Sequence, residues 1–244
     1  MTFERSAGPP PEPAPTPGAQ EGQEPAPVQI RLQILATEHW SLLASRSLAW
    51  NETFSRAGMY LSTLSGAMVA LGLIVGTDGF GDAFFVFALV VLPVVLFVGV
   101  GTWLRMGAAN YHDAVTVAGM NRIRAAYLEI APELGPYFVM GVHDDARGIG
   151  ITMAVPPRTP TFTFLISATP FLVMVLNSVV SGAILAVLAI RFVSADAIVI
   201  LIVGLVGAAV AQALQLALAT RGIGRAQREL DPMFPTPPDD RAGA

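Results

Sequence analysis

Four blocks of apolar sequence constrain this chain more than anything else in it, because none contains an Asp, Glu, Lys, Arg or His. They cover residues 58–76, 83–104, 164–190 and 197–219. At 1.5 Å of rise per residue, about 20 helical residues cross a hydrocarbon core of about 30 Å. Backbone groups in hydrocarbon must be hydrogen-bonded within their own segment, so an isolated apolar block of this length forms a helix. The rest of the composition agrees: 53% of the 244 residues are hydrophobic and 13% charged, where a soluble domain has about a quarter charged. The predicted fold class is an all-α membrane protein with four transmembrane helices. The third block exceeds the minimum length and must tilt or project beyond the core. Pro93 and Pro170 are expected to bend the second and third spans.

Positive residues near the ends of spans are retained in the cytoplasm. Arg46 and Arg56 precede the first span, Arg105, Arg122, Arg124, Arg147 and Arg158 separate the second from the third, and Arg221, Arg225 and Arg228 follow the fourth. Only Arg191 lies in an opposite loop. The expected location is a bacterial inner membrane, multi-pass, with both termini and the central loop cytoplasmic. Residues 1–27 are rich in Pro, Ala, Gly and Glu with few large apolar side chains, and are read as a disordered tail. They lack a basic stretch followed by an apolar one, so the first span is expected to remain in the mature protein. Residues 220–244 are read as a cytoplasmic tail whose Pro-rich end, Asp231–Ala244, is disordered.

The flanks of the first two spans have helical periodicity. Over residues 28–56, Leu32, Leu35, Trp40, Leu43, Trp50 and Phe54 form an apolar stripe, with Arg31, Glu38, Ser45 and Glu52 on another face. Within 106–163, Met120, Ile123, Tyr127 and Ile130 repeat the pattern, with Asp113, Asn121, Arg124 and Glu129 available for water, until Pro132 and Gly135 stop the helix. Each extension is about 40 Å long. Matched lengths predict that the transmembrane hairpin of residues 57–105 continues as an antiparallel cytoplasmic helical hairpin, with Trp40 and Trp50 in its core and Trp103 an interfacial anchor. Residues 136–163 read as a short hairpin or an interfacial loop, followed by the hairpin of residues 164–219.

Candidate chemistry is sparse. The chain has no Cys and no Lys, which removes disulfides, thiolate ligands, Schiff bases and P-loops. A net charge of −4 without a basic stripe gives no support for nucleic acid as a partner. Spans without ionisable residues argue against proton-coupled transport, which places such groups at membrane depth. Asn177, Gln212 and Gln215 are expected to hydrogen-bond between helices or to line a pore. Ser62, Gly66 and Gly204 belong to four-residue small spacings that allow close helix approach. His143, Asp144 and Asp145 form the one dense group of potential metal ligands, and His112-Asp113 would add a second imidazole and carboxylate. A solvated polar turn is the preferred reading of this group, and no metal or cofactor is expected.

The stretch from Leu35 to Glu52, with Met120-Asn-Arg-Ile-Arg-Ala-Ala-Tyr-Leu-Glu129 and Gly141-Val-His-Asp-Asp145, resembles a group of uncharacterised bacterial integral membrane proteins, chiefly actinobacterial. The resemblance covers about residues 30–160 and implies no activity or functional residue. A cytoplasmic helix ahead of a two-span hairpin also resembles the SLATT-type membrane effector domains. That likeness implies pore formation, although the third and fourth spans depart from a two-span plan. The functional expectation is a non-enzymatic, self-associating membrane scaffold, partnered by the lipid bilayer and by its own copies or by a protein held through the cytoplasmic hairpin. A homo-oligomeric channel is the alternative, and a membrane-embedded enzyme comes third.

Overall fold

The computed structural model describes residues 26–154, 168–193, 196–229 and 231–238. The described residues form helices and turns without a strand. Helix α1 runs over Val28–Asp78, α2 over Asp82–Ile130, α3 over Ala146–Thr152, α4 over Thr169–Phe192 and α5 over Ala197–Glu229. A 3₁₀ turn, Pro132–Tyr137, follows α2. Four of the helices are long and apolar enough to cross a membrane, so the chain is a multi-pass membrane protein. The N-terminal tail expected over 1–27 lies almost wholly outside the described residues.

Helix α1 has 51 residues and α2 has 49, about 75 Å each and more than twice the hydrocarbon thickness. No proline interrupts α1 after Pro27, and α2 continues through Pro93. Helix α2 ends at Ile130, just before Pro132. The α1–α2 turn depends on Gly79, at φ 62° and ψ −146°, a backbone region open essentially only to glycine. Cross-helix partners then run in opposite order along the two helices. Tyr60 meets Gly99, Glu52 pairs with Arg105, Arg46 with Asp113, and Leu42 reaches Gly119.

Charged groups bracket the apolar stretch. Glu52 accepts from Arg56 at 2.9 Å and from Arg105 at 2.7 Å at one end, while Asp82 pairs with Arg191 at 3.0 Å at the other. The interval from residue 57 to 77 is about 30 Å of helix, one hydrocarbon thickness. The Glu52 carboxyl is held down to about 2, first by its hydrogen bond from Arg105 and then by that from Arg56.

Helices α1, α2, α4 and α5 lie side by side in that order, with α2 touching both α1 and α4 and α5 resting chiefly on α4. Tyr60, Ala88, Val95, Met106 and Val173 anchor the shared core. Helices α4 and α5 approach closely at Gly182 and Gly204: a methyl placed on Gly182 would lie 2.5 Å from the Gly204 carbonyl oxygen. Ser62 and Gly66 are exposed, and a methyl on Gly66 would meet nothing within 4 Å. Their small faces are therefore not used inside one chain.

Several sequence expectations need correction. Helix α4 begins at Thr169 rather than 164, and Pro170 sits in its first turn, where it removes no internal hydrogen bond and causes no kink; residues 164–167 are outside the description. Between 136 and 154 the chain forms neither a hairpin nor a plain loop, but the end of the 3₁₀ turn, an extended link and α3. Trp103 is buried in the core instead of anchoring at an interface, and Trp40 is exposed instead of buried. Asp113, Asn121 and Arg124, read as facing water, are all buried. Asp113 is buried because Arg46 and Trp50 of α1 bond it, a pairing that leaves Trp40 outside, whereas Asn121 and Arg124 are buried by the 141–143 link and α3.

Replacing Gly182 with Ala should separate α4 from α5 locally and cost about 1–3 kcal/mol, as overpacking does. Thermal unfolding in detergent should show the loss, with Gly66→Ala as the neutral control.

Candidate functional site

Two polar assemblies stand out, one at membrane depth and one beyond it. In the first, Asn177 and Ser178 of α4 face Gln212 and Gln215 of α5, with Asn177 fully buried. Asn177 Nδ2 donates to Gln215 Oε1 at 3.2 Å. Gln215 Nε2 lies 3.1 Å from Ser178 Oγ, 3.2 Å from the Met174 carbonyl and 3.3 Å from that of Ala211. Ser178 Oγ is 2.8 Å from both Gln212 Oε1 and the Met174 carbonyl. Sequence reasoning selected the three amide residues but left open whether they pack helices or line a pore. Inside one chain, Asn177 and Gln215 face each other.

The same assembly touches all of the first three spanning helices. A methyl on Gly99 of α2 would collide with Asn177 Oδ1 and lie 2.7 Å from the Tyr60 ring of α1. Tyr60 Oη and Asn177 Oδ1 are buried and have no partner in the structure. One is a donor and the other an acceptor, so they are complementary. Below this level an apolar groove of about 750 Å³ runs between α2, α4 and α5, along Leu96, Ile184, Val203 and Val210. Ser181 is the one polar side chain lining that groove.

The second assembly is built on the residues proposed as metal ligands. Asn121 is its organiser. Its Nδ2 donates to the His143 carbonyl at 2.7 Å, and its Oδ1 accepts from Thr152 Oγ1 and from Arg124, each at 2.7 Å. These bonds fix the link 141–143 and α3 against α2. Asp145 caps α3 by accepting from Gly148 N at 2.9 Å. Asp144 takes Arg122 Nε at 2.6 Å and the backbone N–H groups of Met233 at 2.9 Å and Phe234 at 2.8 Å. Asp145 also accepts from Thr236 N at 3.0 Å and Thr236 Oγ1 at 2.9 Å. Arg122 donates as well to the Asp231 carbonyl at 3.1 Å.

The acidic doublet thus holds the chain's own C-terminal segment. This corrects the expectation of disorder from 231 onward, since residues 231–238 are docked; positions 239–244 are outside the description. The prolines did not prevent docking, because the bonding donors are the backbone N–H groups between them. His112 and Asp113 do not join the doublet. They face α1, where His112 Nε2 meets Ser45 Oγ at 3.1 Å, and nine residues of helix, about 14 Å, separate them from Asn121. Among the described residues, no three His, Asp or Glu side chains gather as a metal site would require. Sequence reasoning did not single out Arg122 or Thr236, whose partners lie 22 and 91 residues away.

Burial alone would raise both carboxyls. The Arg122 guanidinium and two backbone N–H groups bring Asp144 below its ordinary value of 3.8, and Gly148 and Thr236 do the same for Asp145. Groups with depressed folded values stabilise fully above the unfolded value and lose that contribution as pH falls through the lower folded one. The clasp should therefore hold at neutral pH and open only in acid below 3.8.

The class these features define is an all-helical multi-pass membrane protein with four helices long and apolar enough to span, and with a clasped C-terminal segment. No family model, curated protein or solved structure matches the chain.

Asn177→Leu should cost about 0.6–2 kcal/mol, the range of interhelical hydrogen bonds in membranes, measured by unfolding in bicelles. Asp144→Asn should free residues 231–238. Removing a buried charge partner costs about 3 kcal/mol or more, so amide exchange at Met233 and Phe234 should quicken by about 100-fold while that of α2 is unchanged.

Proposed function

We propose that the protein is a non-enzymatic scaffold of the bacterial inner membrane that self-associates through an antiparallel helical hairpin in the cytoplasm, with both termini on that side. One observation carries the reading. Where α1 extends past Glu52 and Arg56, Arg46 and the Trp50 indole are bonded to Asp113 of α2, while the large apolar side chains Ile34, Trp40, Leu48 and Phe54 are exposed, Trp40 by 69%. Outside a bilayer, such a surface is an interaction site. The Arg distribution supports the cytoplasmic side, and the reversed order of α1–α2 contacts supports the hairpin.

Asn177 and Gln215, the expected lining of a channel, hydrogen-bond within one chain. This favours the scaffold over the channel.

In lipid nanodiscs, the purified full chain should have the mass of two or more copies, and planar bilayers should show no conductance. A single-copy mass, or conductance abolished by Asn177→Leu, would overturn the reading. A cysteine introduced at the exposed Ser41 should react with an impermeant maleimide in inverted vesicles and not in intact cells.

A further inference from the structure

We infer that two copies pair in parallel along one face of α1, by a heptad seam that begins in the extramembrane extension and continues into the bilayer. The inference rests on the scaffold reading and names its partner. Beyond the membrane the seam comprises Ala36, Trp40, Leu43, Ser47, Trp50 and Phe54, with spacings of four and three residues. This is the alternation by which one helix meets another along a supercoil. Phe54 is 54% exposed and stacks on Trp50 at 5.6 Å between ring centroids. The Trp50 indole N–H is fixed by Asp113 at 3.1 Å. The two rings are thus held in place before any partner arrives.

The same face continues into the bilayer after one stutter, a second consecutive four-residue step from Phe54 to Gly58. Leu61 and Met68 continue the apolar positions, and Met68 is 64% exposed. Gly58, Ser65 and Gly72 fall between them at intervals of seven, and a methyl on either glycine would meet nothing within 4 Å. Small residues at this depth allow a neighbouring helix to approach closely.

Three points select a second copy as the occupant. In a parallel two-fold pair each residue meets its own counterpart, so any charge on the seam would face a like charge; from Ala36 to Gly72 the seam has none. The charged residues of this stretch, Glu38, Arg46, Glu52 and Arg56, all lie elsewhere on the helix. The membrane also holds two copies upright at equal height, so identical seams meet in register. Finally, the seam is about 55 Å long and about 10 Å wide. Two such faces give about 1,100 Å², just above the roughly 1,000 Å² a specific interface needs. The chain's own N-terminal tail is a poor occupant, since Met1 and Phe3 are the only large apolar side chains in residues 1–27.

A chain without cysteine allows disulfide mapping free of background. In the full chain in bilayers, oxidation of Ser47→Cys or Ser65→Cys should yield a covalent dimer, whereas Ser41→Cys and Ser55→Cys, turned away from the seam, should stay single. Trp40→Glu should reduce the nanodisc mass from two chains to one and abolish the Ser47→Cys crosslink, with helical content unchanged. A dimeric mass with crosslinks at Ser41, Ser55 or Ser62 instead would overturn the seam while leaving self-association intact. A single-chain mass in the unaltered protein, without crosslinks at any position, would overturn both. A dimer that survives Trp40→Glu would also overturn the seam.

Discussion

The pairing of α1 with α2 far from their connecting turn depends on one buried carboxylate, Asp113. It accepts from Arg46 Nε at 2.6 Å and from the Trp50 indole at 3.1 Å, joining α1 to α2. Truncating one member of a buried pair leaves the other charge unpaired, at a cost of several kcal/mol. Asp113 therefore fixes which face of α1 looks at α2. With Arg46, Ser45 and Thr53 on the inside, the 3.6-residue period leaves Trp40, Leu43 and Phe54 on the outside. Exposure of the aromatic stripe follows from polar pairing and is not an independent property of the sequence.

A similar principle operates at two other places. At membrane depth, the amides of Asn177 and Gln215 pair within the chain because hydrocarbon offers no other partner. At the end of α2, Asp144 and Asp145 recruit backbone donors from a segment about 90 residues away. Each is a polar group with few alternatives, and each tethers elements that apolar packing leaves loosely joined. Helix α5, which rests mainly on α4, gains a second attachment when the segment after it is clasped near Arg122.

The four spans were legible in the sequence because uncharged length is a one-dimensional signal and bilayer thickness fixes its meaning. The stop of α2 at Ile130 was legible through Pro132. The sense of the amphipathic stripe was not, since periodicity identifies faces without saying which one is inside. A soluble-protein rule places Trp40 within and Asn121 without; here the pairing of Arg46 with Asp113 turns Trp40 outward, and the His143 carbonyl and Thr152 hold Asn121 inside. The acidic doublet was noticed as a feature and read chiefly as a solvated turn, because its partners, Met233, Phe234 and Thr236, are distant in sequence and act largely through their backbones. Asn177, Gln212 and Gln215 were picked out as amides within apolar blocks; their mutual contact needed three dimensions.

The central claim is that α1 stays beside α2 after leaving the bilayer. Pulsed EPR between spin labels at Ser41 and Val115, both exposed, tests it directly in the full chain in nanodiscs diluted with unlabelled protein. Helix axes about 10 Å apart predict one narrow distribution below about 25 Å. A broad distribution centred well beyond that distance would mean the two extensions separate, and the account would fail.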